Sequence, residues 1–183
     1  MLLGTVVLSA APHGKAQQRI SQMLGPWVRT QCTFSDGATM RFGLIPSGLP
    51  HSGGPTWHTG QYDATTLVVS ERMRFQRLGV VDIDMPPGRY TVFIDSDEAT
   101  PWTLIISKSS GKWGISYPGK QYDLGRTQMG SDVLSHPVRT VTIGCVEHQS
   151  SPMFLWVQSG NEAGMSKVMA ERIVGGKTTL VWK

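Results

Sequence analysis

Apolar and polar residues alternate along this chain in short runs. Ala38 to Leu44 reads A-T-M-R-F-G-L and Arg89 to Asp95 reads R-Y-T-V-F-I-D; a period of two sends successive side chains to opposite faces of a strand. Runs of this kind, rich in Val, Ile, Thr and aromatics, predict strands at Val28 to Phe34, Ala38 to Leu44, Asp63 to Ser70, Arg72 to Phe75, Val80 to Asp84, Arg89 to Asp95 and Trp102 to Ser107. The pattern continues at Lys112 to Ile115, Thr127 to Val133, Val138 to Val146 and Met153 to Gln158.

Turn residues separate the runs. Ser35-Asp36-Gly37 is a tight hairpin signal, because Asp-Gly supplies the positive φ that hairpin turns need. Ile45 to Pro55 is a loop, Pro86-Pro87-Gly88 and Asp97 to Pro101 are turns, and Ser135-His136-Pro137 separates two predicted strands. Near the end, Met165, Val168, Met169 and Ile173 fall at helical spacing, yet the same stretch also alternates. A hairpin turning at Val174-Gly175-Gly176-Lys177 and returning over Thr178 to Trp182 is the first expectation, a terminal helix the second. Gln17 to Leu24 reads as a short amphipathic helix ended by Gly25-Pro26. The expected fold is all-β, an antiparallel β-sandwich or barrel-like sandwich, with a short N-terminal helix.

Composition adds a compartment. The 183 residues fit one domain of ordinary size, and 21 Gly with 11 Pro suit many short strands. Leu2 to Ala11 is an apolar run followed by Gly14-Lys15-Ala16, similar to a secretory leader and too short to span a bilayer. The expected organisation is a signal peptide over 1–16, a lead-in over 17–30 and a β domain over 31–183, exported to the periplasm or secreted, with no transmembrane segment after leader removal. Cys32 and Cys145 form one bridge between the first and a late strand in an oxidising compartment; two buried thiols are the alternative. The net charge is +4, but the 17 Lys and Arg are scattered. Arg72 and Arg74 share a strand face while Arg77 points the other way, so no phosphate-tracking stripe is evident and no nucleic-acid partner is expected.

Familiar catalytic signatures fail. Gly176-Lys177-Thr178 ends like a phosphate loop but lacks the required upstream glycine and a following helix. Ser109 to Lys112 fits S-x-x-K without its companion motifs, and neither G-x-S-x-G nor H-E-x-x-H occurs. His51 and His58 with Asp63 are weak candidates for a two-histidine, one-carboxylate metal site; no cofactor is expected.

Trp57 to Thr66 reads W-H-T-G-Q-Y-D-A-T-T and follows Gly43-Leu44-Ile45-Pro46-Ser47-Gly48. Farther on come Pro87-Gly88-Arg89-Tyr90-Thr91-Val92-Phe93, Trp102 to Lys108, Gly111-Lys112-Trp113-Gly114, and Asp123-Leu124-Gly125-Arg126 leading to Met129. In this order the segments resemble the motifs of a bacterial family, domain of unknown function (DUF) 2911. The resemblance runs from Cys32 to Val146 and leaves a divergent part over 147–183. It implies an exported, mostly β domain without an assigned activity. Where the family typically has Arg, Asn and Glu, this chain has His58, Tyr62 and Asp63; an ion pair of His58 with Asp63 would require a protonated imidazole.

Three functions compete. A ligand-binding module, taking a small molecule or glycan, would use Trp57, His58, Gln61, Tyr62, Asp63, Trp113, Tyr117 and Tyr122, because aromatic faces beside polar groups stack and hydrogen-bond sugars. A hydrolase would use His58, Asp63 and Asp123 with Arg126 stabilising charge. An interaction domain of the cell envelope would need no such site. Trp102 and Trp156 lie inside apolar runs and read as core.

Overall fold

The alternating runs pair into two antiparallel sheets. The computed structural model describes residues 28–34, 37–44, 56–57, 65–77, 80–96, 101–109, 117–146, 153–174 and 177–180. Its strands are β1 (Val28–Thr33), β2 (Thr39–Leu44), β3 (Thr56–Trp57), β4 (Thr65–Val69), β5 (Arg72–Arg77), β6 (Val80–Met85), β7 (Gly88–Asp95), β8 (Thr103–Ser107), β9 (Asp123–Gln128), β10 (Gly130–Val146), β11 (Met153–Val174) and β12 (Lys177–Leu180). A seven-stranded sheet has the order β1-β2-β4-β7-β8-β9, with β3 also on β7; a five-stranded sheet has the order β10-β11-β5-β6, with β12 on β11.

The period of two decides what is buried. Met40, Phe42, Leu44, Leu67, Val69, Val92, Ile94, Leu104 and Ile106 point from the larger sheet into the core. Met73, Phe75, Ile83, Met85, Ile143, Leu155, Val157 and Val168 meet them from the smaller one. Trp102 and Trp156 are only half-buried; Trp102 packs against the edge of this core.

The sheets approach at both edges without closing into a barrel. On one side the Cys32–Cys145 disulfide joins β1 to β10, and Thr30 Oγ1 donates to the Ile143 carbonyl at 3.2 Å. On the other, Thr127 Oγ1 on β9 donates to Asp82 Oδ2 on β6 at 2.6 Å. A Cβ on Gly125 would come within 3.0 Å of Ile83, which is why glycine suits this approach.

Several expectations hold in detail. The β1–β2 hairpin closes with Gly37 at φ 88°, its amide donating to the Phe34 carbonyl at 2.9 Å. Residues 162–174 are strand rather than helix, and Val174 pairs with Lys177 as in a two-residue hairpin. Alternation wins over helical spacing here because both edges of β11 are used: Glu171 pairs with Arg72 on one and Leu180 on the other.

Two strand expectations fail. Thr127 to Val133 is not one strand, because the chain changes sheets at Met129, whose side chain is buried and whose amide donates to the Trp102 carbonyl at 2.7 Å. Ser135-His136-Pro137 is not a break between strands. β10 runs through it, and the register steps from Val133↔Glu162 to Val138↔Gly160, so the surplus residues, among them a proline without an N–H, are absorbed as an irregularity. The expected helix over Gln17 to Leu24 and the strand over Lys112 to Ile115 lie outside the described residues.

Candidate functional site

The described ends of the β8–β9 connection, residues 108–109 and 117–122, lie on the outer face of the seven-stranded sheet as a strap. The Lys108 amide donates to the Tyr122 carbonyl at 2.8 Å, and Ser107 Oγ donates to the same oxygen at 3.2 Å. Thr91 Oγ1, buried on β7, donates to the Ser109 carbonyl at 2.5 Å. Gly119 holds φ 107°, a conformation L-residues disfavour, and opens the single 3-10 turn Lys120–Tyr122 that returns the chain to β9.

Under the strap, Phe93 and Ile105 form a small apolar cluster covered by Tyr117. The Phe93 and Tyr117 rings meet edge to face, centroids 5.3 Å apart. Such pairing combines apolar burial with a favourable quadrupole orientation, and leaves the phenol hydroxyl at the rim. That hydroxyl donates to the Asp123 carboxylate at 2.9–3.0 Å and accepts from Arg126 Nη2. Arg126 Nε donates to Asp123 Oδ2 at 2.6 Å, and Nη1 lies 3.6 Å from Asp95 Oδ2 on β7. Burial, together with the hydrogen bond to Asp123, raises the Tyr117 pKa; the Arg126 contacts oppose this. For Arg126, burial alone would lower the pKa, but the bonds to Asp123 and Tyr117 outweigh it and the net shift is upward.

Asp123 and Arg126 are three residues apart on one strand, and strict alternation would put them on opposite faces. A register shift cancels that: Ile106 pairs with Gly125 and Ser107 with Asp123, so two β9 steps oppose one on β8. The bulge returns Asp123 to the face that Arg126 shares with its cross-strand partner Ile105.

Among the expected site residues, Tyr117, Asp123 and Arg126 therefore form one cluster, and Tyr122 lies next to it, 47% exposed. Trp57 enters through its backbone, which pairs with Ile94, while Thr56 pairs with Asp95. Thr65 pairs with Val92, so the chain leaves and rejoins β7 close to the residue that Arg126 reaches. Two strands, β7 and β8, separate β3 from β9, which at one strand spacing each sets them roughly 14 Å apart. His51, His58, Gln61, Tyr62, Asp63 and Trp113 lie outside the described residues, and with them the weak metal site. Among the described residues no group of His, Cys, Asp and Glu is arranged to hold a metal. Sequence reasoning missed Asp95 and Phe93; their alternation within R-Y-T-V-F-I-D is the signal that places both on the outer face.

Residues 43–177 match the family described as protein of unknown function (DUF2911). The chain belongs to the DUF2911 family. The match takes in the Trp57 to Thr66 segment, the strap and Asp123 to Arg126, so the cluster lies wholly within the DUF2911 region. It also extends beyond Val146 through β11 to Lys177, the part expected to diverge, and leaves β1 outside. Neither a curated protein nor a solved structure matches the chain.

Proposed function

We propose that this DUF2911 protein is a noncatalytic ligand-binding module acting outside the cytoplasm, with a carbohydrate contacting the outer face of the seven-stranded sheet beside Tyr122. The observation that carries the reading is the state of Asp123. A hydrolytic acid or base must exchange protons with a substrate. Asp123 instead has a side chain only 10% exposed, with Tyr117 on both its oxygens and Arg126 on one. The cluster serves to fix the strap, and the strap presents Tyr122, an exposed aromatic beside polar groups, as sugar-binding surfaces do.

The extracytoplasmic part of the reading is supported by the Cys32–Cys145 disulfide, which persists in oxidising compartments, and by the apolar N-terminal run with its small-x-small site. The test is a thermal-shift screen over neutral and acidic glycans with wild type and Tyr122→Ala, alongside a search for glycan turnover. A glycan that stabilises wild type more than the variant, without turnover, supports the reading. Turnover by the wild type, or no stabilisation by any glycan, overturns it.

A further inference from the structure

The half of the outer face that the strap leaves uncovered carries a set of arginines gathered from three strands. Cross-strand partners share a face. Gln31 pairs with Arg41, Arg41 with Val68, and Val68 with Arg89, which gives one row across β1, β2, β4 and β7. The neighbouring row runs Arg29, Gly43, Thr66, Thr91, Ser107. Arg29, Arg41 and Arg89 are all exposed, and none of them makes a hydrogen bond or ion pair among the described residues. Arg41 and Arg89 stand two strand spacings apart, roughly 10 Å, and Arg29 is a diagonal neighbour of Arg41 at roughly 7–8 Å.

Among the described residues, counter-charges near this set are few. β1, β2 and β4 contain no Asp or Glu. Asp95 lies six residues along β7 from Arg89, roughly 20 Å, and is engaged with Arg126. Glu71, exposed in the β4–β5 turn, lies three residues along from Val68, roughly 10 Å from the row. Three like charges so close together raise a positive potential over a flat surface and weaken the sheet slightly, an arrangement that an anionic partner would relieve.

We infer that this arginine face binds an acidic polysaccharide, its carboxylate or sulfate groups taken by Arg29, Arg41 and Arg89 and its hydroxyls by Gln31, Thr33 and Thr66. Guanidinium groups match such oxyanions through paired N–H donors. Two features disfavour nucleic acid. The outer positions of β1, β2 and β4 offer no aromatic ring on which a base could stack, and a flat sheet face cannot enter a groove. The row of Arg29 runs on through Ser107 to Asp123, and the Ser107 hydroxyl is bonded to the Tyr122 carbonyl, so the arginine face and the strap form one continuous surface. The inference thus deepens the binding-module reading and rests on it.

The experiment measures binding of the full chain to polygalacturonate, heparin, neutral dextran and duplex DNA at low and high salt. Wild type, Arg41→Gln, Arg89→Gln, the Arg29/Arg41/Arg89→Gln triple variant and Arg139→Gln are compared. Arg139 is an exposed arginine on the other sheet and controls for net charge. The expected result is binding to an acidic polysaccharide that weakens with salt, falls roughly three- to tenfold for each single arginine lost, disappears in the triple variant and is unchanged in Arg139→Gln. No binding at low salt, an equal loss with Arg139→Gln, or equal affinity for DNA overturns the inference. If acidic polymers fail while a neutral glycan still protects through Tyr122, only this inference falls and the binding-module reading stands.

Discussion

Arg126 and Asp123 bond side chain to side chain at 2.6 Å although three residues separate them on a single strand, and the bulge opposite Ser107 makes that contact possible. The pair does not stand alone: Tyr117 ties the strap to it, and Asp95 ties it to β7. Its position under the strap makes it a structural joint between the strap and the sheet.

Tyr117→Phe keeps the ring on Phe93 and removes the hydroxyl between Asp123 and Arg126. The expected loss is about 1 kcal/mol, read from the urea midpoint at unchanged m-value. Tyr117→Ala also uncovers Phe93 and Ile105 and is expected to cost about 3 kcal/mol or more.

The Cys32–Cys145 bridge closes a separation of 113 residues between the edges of the two sheets. Replacing both cysteines with alanine is expected to lower stability by about 2–5 kcal/mol. Thermal unfolding of wild type with and without reductant gives the same comparison without mutation.

Gly144 faces the Trp156 ring so closely that an added Cβ would fall 2.3 Å from Cζ2. Gly144→Ala should therefore destabilise through overpacking, by about 1–3 kcal/mol. Denaturant unfolding measures the loss, and fluorescence reports whether the indole has moved.

Arg72 donates two hydrogen bonds to Asp84, which holds the Asp84 carboxyl below its ordinary value of 3.8 against the opposing effect of burial. A depressed carboxylate stabilises the fold above its unfolded-state pKa, and that contribution is lost as pH falls through the lower folded-state value. Arg72→Gln is expected to shift the Asp84 titration upward in carboxyl-detected NMR. An unchanged midpoint would mean that the pair contributes nothing in solution, as many exposed ion pairs do.

Alternation and turn chemistry made the sandwich legible, down to the Val174–Lys177 hairpin, because each follows from residues adjacent in sequence. What lay hidden depends on register. Nothing in D-L-G-R announces a bulge, so Asp123 and Arg126 could be named as candidates but not as a pair. The passage from β9 to β10 at Met129 is hidden because Thr127 to Val133 still alternates like one strand, and Gly130 by itself does not announce a change of sheet. Arg29, Arg41 and Arg89 are scattered along the chain and become neighbours only when β1, β2, β4 and β7 align.

The central claim is that the outer face of the seven-stranded sheet is where this DUF2911 protein meets its ligand. An amide and arginine side-chain NMR titration with galacturonate oligomers tests it most directly. The account predicts shifts centred on Arg29, Arg41, Thr66 and Arg89 that extend to Tyr122, with the five-stranded sheet unaffected. Shifts confined to β10, β11 and β5, or none at saturating oligomer, would contradict it.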